Sequence, residues 1–156
     1  MLYSFLHLVY SFYICLKFSG KISGPLLDRI DIHVEVPAVK YVELASKRTG
    51  ESSSCIRTRV MAARALQARR FAGRNAVYCN SDMGPTDLRE FCQIDAGGAD
   101  LLKCAMGKLG LSARAYDRIL KVARTIADLG DSDAIRPEHL AEAIQYRSLD
   151  RSYHSG

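Results

Sequence analysis

The stretch GLSARAYDRILKVARTIADL, Gly110 to Leu129, decides the fold of this 156-residue chain. Ser112 stands where a side-chain oxygen can accept from a free amide of a first helical turn, and Gly130 follows as a stop. Between them Ala115, Ile119, Val122, Ile126 and Leu129 recur at alternating steps of four and three, the spacing of one helical face. Arg118, Lys121 and Arg124 fall on the polar face and read as solvated.

Working outward, Gly97-Gly98 reads as a break before a helix over Asp100–Leu109, whose Leu102, Met106 and Leu109 share a side and which Gly110 ends. Gly84-Pro85 precedes a short helix over Thr86–Phe91. Pro137 opens a last helix, with Leu140, Ile144 and Arg147 at helical spacing. His139, in its first turn, reads as a surface or capping residue. Upstream, Cys55–Phe71 lacks Pro and Gly, follows Ser53 or Ser54 as cap, and predicts a long helix. Its apolar stripe, Ile56, Val60, Ala63 and Phe71, is narrow, and the helix carries five arginines and no acid. Arg57, Arg59 and Arg64 could contact phosphates, or could simply lie along the surface with their aliphatic stems packed. The second half of the chain therefore predicts a helical bundle.

Before that bundle, Ile30–Val36 reads IDIHVEV and alternates apolar with polar, which predicts a half-buried strand ended by Pro37. His33 lies on its polar face between two acids, with no metal partner at ligand spacing. Ser46–Glu51 is polar and reads as an exposed connection. The first eighteen residues, MLYSFLHLVYSFYICLKF, differ in composition from everything after them. They make a poor membrane span and a poor signal peptide, a buried strand or the start of a helix is another reading, and a misplaced or frameshifted start explains them best.

Composition bounds the class. An apolar content of 48% with 25% charged residues is that of a globular, soluble domain, not of a disordered chain. A net charge of +5 favours polyanionic partners, nucleic acid or nucleotide phosphates alike. Five cysteines without C-x-x-C spacing predict reduced, mostly buried thiols in a cytoplasmic protein and no metal site.

Two arginines could carry chemistry. Arg29 sits between Asp28 and Asp31 at the turn into the strand, either as an ion-paired turn residue or as a cation presented to a neighbouring subunit's phosphate. Arg114 follows the Ser112 cap by two residues, where the positive end of a helix disfavours a cation unless an anion is near. Asp117 and Arg118 could pair locally instead. No G-x-x-x-x-G-K-[ST] loop, no apolar strand ending in paired acids, no G-x-S-x-G elbow and no Cys–His pair of recognisable spacing occurs, so the chain alone is not expected to hydrolyse nucleotides.

Three stretches, KISGPLLDRIDIHVEVP (Lys21 to Pro37), GLSARAYDRILKVARTIADL and HLAEAIQYRSLDR (His139 to Arg151), resemble in order and spacing the C-terminal region of the magnesium-chelatase-like AAA+ ATPases of the ComM/YifB type. The resemblance implies a mainly α fold: a helical-bundle AAA+ lid with a remnant strand of the AAA+ α/β core. It divides the chain into an unmatched apolar segment (1–20), the end of the core with its finger turn and last strand (21–40), connecting helices (41–95) and the lid (96–151). It implies that Arg29 is an arginine finger acting in trans and that Arg114 is a sensor-2 arginine on the ATP phosphate. The intact family protein would use ATP and Mg²⁺, assemble with Walker-containing subunits as a homo-hexamer, and drive DNA branch migration in natural transformation. This chain alone is expected to hold neither cofactor tightly nor to attach to a membrane. The alternative is a stand-alone basic helical module that binds nucleic acid.

Overall fold

The computed structural model describes residues 29–34, 36, 38 and 50–147. Among these residues five α-helices follow one another: α1 (Ser53–Arg70), α2 (Pro85–Phe91), α3 (Ala96–Leu109), α4 (Ala113–Leu129) and α5 (Pro137–Gln145), with a 3₁₀ turn at Asn80–Asp82. The mainly helical fold expected from the sequence is thus the one observed. The segments 1–20 and 39–49 lie outside the described residues, as do Asp28 and residues 148–151 of the predicted lid.

Helix α4 is the hub. It packs against α1, α2, α5 and the 3₁₀ turn, while α3 packs against α5. Ser112 caps it as predicted, accepting from the Ala115 amide at 3.1 Å. The buried arc, however, shares only Ala115 and Ile119 with the predicted stripe. Ala115, Ile119, Leu120, Ala123, Arg124, Ala127 and Asp128 are buried, whereas Val122, Ile126 and Leu129 lie on a half-buried flank. The shift follows from a polar pair on the inner face. Asp128 accepts from Arg70 at 2.5 and 2.7 Å, from Asn80 at 2.8 Å and from Arg124 at 3.1 Å. Arg124 also donates to the carbonyls of Asp133 at 2.8 Å and Ser132 at 2.5 Å. One carboxylate thereby joins α1, the 3₁₀ turn and the α4–α5 loop, and Arg124, expected in solvent, is 3% exposed. Charges buried this way persist only when each finds a partner.

Burial works against the Asp128 carboxylate, but the hydrogen bonds from Arg70 and Asn80 and the nearby Arg124 charge outweigh it and hold its pKa below the usual range. The bond to Asp128 pushes Arg70 up and burial pushes Arg124 down, yet guanidinium stays charged at neutral pH.

Gly97-Gly98 does not break the chain. Asp95 caps α3 by accepting from the Gly98 amide at 2.7 Å, and the helix runs through both glycines. Gly98 is needed because a Cβ there would stand 2.7 Å from Leu140 Cδ1, so its hydrogen side lets α3 approach α5. Gly110 ends α3 in the left-handed region at φ 62°, as predicted.

Helix α1 begins two residues earlier than expected, with Ser52 as its cap. Of its predicted stripe, Ala63 and Phe71 are buried, but Ile56 and Val60 are 42% and 43% exposed, so only its C-terminal half joins the core. His139 does cap α5, its Nδ1 accepting from the Arg136 amide at 3.1 Å.

Residues 30–34 form no strand. The alternating face is exposed, from 41% at Ile30 to 81% at Val36. No neighbouring strand exists among the described residues to take up its backbone groups, and a lone extended segment cannot satisfy them itself. The lid satisfies them instead: the His33 amide donates to the Tyr146 carbonyl at 2.8 Å, and Arg147 donates to the Ile30 carbonyl. Arg147 lies beyond the end of α5 and is buried. Of the four described cysteines only Cys92 is buried; Cys55 and Cys104 are exposed and Cys79 is half-buried, so the expectation of mostly buried thiols fails.

Candidate functional site

The N-terminal half of α4 presents its cations in a row. Arg114, Arg118 and Lys121 are spaced by four and three residues, which places them on one face of the helix. With Asp31, Ser81 and Asp117 they line a depression of about 210 Å³. Three cations against two carboxylates, beside a helix N-terminus whose amides carry partial positive charge, make a surface suited to an anion.

Two chain segments far apart in sequence meet there. Arg118 Nη1 donates to the Arg29 carbonyl at 2.7 Å and pairs with the Asp31 carboxylate. Lys121 Nζ donates to the Ser81 carbonyl at 2.9 Å, which brings the 3₁₀ turn to the same rim. Both cations are engaged, where the sequence reading has them simply solvated. The Arg29 turn is therefore seated on the helix face that carries Arg114. The Arg29 residue is exposed and outside the lining of the depression, and Arg114 is exposed within it.

Of the two acids that flank Arg29 in sequence, the described one pairs with a different arginine. Asp31 is engaged by Arg118, and Asp28 lies outside the described residues. What sequence reasoning missed is Arg118; its only signal was a second arginine one helical turn after Arg114.

The α1 arginines divide. Arg59 forks onto the Glu51 carboxylate at 2.9 and 3.0 Å, Arg64 donates to Gln67 at 3.2 Å, Arg57 is exposed, and Arg70 turns inward to Asp128. Arg57, Arg59 and Arg64 are not among the residues lining the depression with Arg114.

A larger depression of about 370 Å³ lies between α2 and α4, lined by residues such as Leu88, Cys92, Ile94 and Leu120. It has little charge beyond Arg89 and Asp117. Burial pushes the Cys92 thiol up to about 11, so it is no nucleophile at neutral pH. Among the described residues no group of three or more His, Cys, Asp or Glu is placed to hold a metal ion, and no helix is long and apolar enough to cross a membrane.

Known proteins share much of this sequence. YifB of Escherichia coli (strain K12) is 42% identical over 138 residues, and the competence protein ComM of Haemophilus influenzae is 41% identical over 137. YifB of Salmonella typhimurium is 39% identical over 137 residues. Each alignment covers 87% of this chain but 26% of the relative, so the chain spans about a quarter of the length of the curated relatives it matches. Residues 9–44 match the family described as magnesium chelatase, subunit ChlI. That match begins inside the apolar segment 1–20 and takes in the Arg29 turn. Residues 50–147, the whole of the five-helix bundle, match magnesium chelatase, subunit ChlI C-terminal. With the bundle and the turn that it holds both matched, the chain belongs to the magnesium-chelatase ChlI family and carries its C-terminal domain.

Proposed function

We propose that this chain is the lid-bearing C-terminal part of a ComM/YifB-type AAA+ ATPase and that it serves ATP hydrolysis at the boundary between subunits. Arg29 is the arginine finger, reaching the nucleotide held by an adjacent subunit; Arg114 is the sensor-2 arginine, contacting the terminal phosphate. The observation that carries this reading is the seating of the Arg29 turn on the basic face of α4, through Arg118, beside Arg114.

The donor set fits a polyphosphate. Arginine stays charged at any physiological pH and offers a planar fork to phosphate oxygens, and a helix N-terminus adds to the attraction. An exposed, permanently charged guanidinium can also stabilise charge that develops on the transferred phosphoryl group. The phosphate-cradling loop and the ligands of Mg²⁺ are supplied by the Walker motifs of the partner subunit. The work performed by the assembled ring is branch migration of DNA; on α1 the exposed Arg57, and Arg59 and Arg64 on exchanging their bonds to Glu51 and Gln67, contact phosphates or the neighbouring subunit.

The test is ATP turnover by a mixture of this chain with a Walker-containing subunit of the same family. Arg29→Ala lowers kcat and leaves nucleotide affinity nearly unchanged, because a finger acts mainly in the transition state. Arg114→Ala weakens nucleotide binding as well. Turnover that is the same with and without the chain, or that survives Arg29→Ala, refutes the reading.

A further inference from the structure

We propose that Arg118 is a positioning residue: it ties the turn bearing Arg29 to the helix bearing Arg114, so that finger and sensor are aligned as one unit. The inference rests on the roles given above to Arg29 and Arg114 and adds a link between them.

Arg118 does not reach the finger through a side chain that could swing away. Its Nη1 bonds the backbone carbonyl of Arg29 itself at 2.7 Å and pairs with Asp31, so it holds the chain on both sides of Ile30. The same side chain starts one helical turn from Arg114, on the face that both residues share. Among the described residues, the printed bonds that hold the turn come from the lid. Arg147 and Tyr146 hold Ile30 and His33 from the end of the bundle. Only Arg118 among these bonds comes from the helix that carries Arg114.

An ion pair this exposed, 24% at Arg118 and 49% at Asp31, adds little to folding stability, so its loss leaves the bundle intact. Its effect lies in geometry. A catalytic group displaced by about 1 Å can lose about a hundredfold in rate.

The experiment is a double-mutant cycle on ATP turnover, using the full chain mixed with a Walker-containing subunit. Arg118→Ala is expected to lower kcat by about 10- to 100-fold with little change in KM for ATP. Arg118→Lys, which keeps a cation but loses the planar fork, gives an intermediate value, and Asp31→Asn a smaller loss. In the Arg29→Ala background, Arg118→Ala is expected to add nothing, because a residue acting only through the finger has nothing left to position. Additive losses, or full turnover with Arg118→Ala when Arg29→Ala is impaired, overturn the proposal and leave the finger reading standing. If the unchanged chain gives no stimulation, or Arg29→Ala costs nothing, the finger reading fails and this inference falls with it.

Discussion

Replacing Asp128 by Ala removes the acceptor at the centre of the buried network. In the native chain its two oxygens take hydrogen bonds from Arg70, Asn80 and Arg124. Without it the Arg124 guanidinium, 3% exposed, keeps only its two carbonyl partners and no counter-charge, and Arg70 loses both its short bonds to Asp128. Breaking a buried pair by deleting one partner costs about 3–5 kcal/mol. A domain of this size has only about 5–15 kcal/mol in total, so the variant retains little margin. For a bundle of roughly a hundred residues the loss corresponds to a melting temperature lower by roughly 15–30 °C. Urea unfolding followed by far-ultraviolet circular dichroism measures it, with Arg59→Ala as the control. That exposed arginine pairs with Glu51, and its loss is expected to cost under about 1 kcal/mol. A cost for Asp128→Ala as small as the control's would show that the network is not what holds α1 and the 3₁₀ turn to α4.

Three further outcomes follow from the same geometry. Because the folded-state pKa of Asp128 is depressed, its contribution is full above its unfolded value near 3.8 and is lost as pH falls through the folded value. Acid titration of stability should therefore be flatter in Asp128→Ala than in the unchanged chain, and equal slopes would contradict the assignment. Gly98→Ala places a methyl against the wholly buried Leu140, and overpacking outweighs the gain in helix propensity to give a net loss of about 1–2 kcal/mol by urea unfolding. Thiol labelling read by mass spectrometry should modify Cys55 and Cys104 in the native chain but Cys92 only after unfolding; early labelling of Cys92 would contradict its burial.

Much of the bundle was legible in the sequence because capping and punctuation act locally. Ser112, Gly110 and Pro137 each mark a helix end through groups within a few residues, and all three stand where the pattern puts them. Gly97-Gly98 misled because a glycine pair signals a break locally, whereas here Gly98 answers to Leu140, forty-two residues away. The α4 stripe misled because periodicity counts apolar side chains, and the inner face of α4 includes a charged pair whose partners, Arg70 and Asn80, come from elsewhere. Ile30–Val36 has the alternation of a strand, but alternation describes a face, not a neighbour to pair with. The turn at Arg29 and the place of Arg114 in the first turn of α4 were legible. That Arg118 joins their two segments was not, since the bond runs from a helix side chain to a backbone carbonyl eighty-nine residues earlier.

The most direct test of the central claim is complementation. A Walker-containing subunit whose own finger arginine has been replaced by alanine is assayed for ATP turnover with and without this chain. The account predicts at least a tenfold rise on adding the chain, well inside the roughly 10³- to 10⁵-fold that an arginine supplied in trans can contribute, and no rise with the Arg29→Ala chain. No rise with the unchanged chain, or an equal rise with Arg29→Ala, would contradict it.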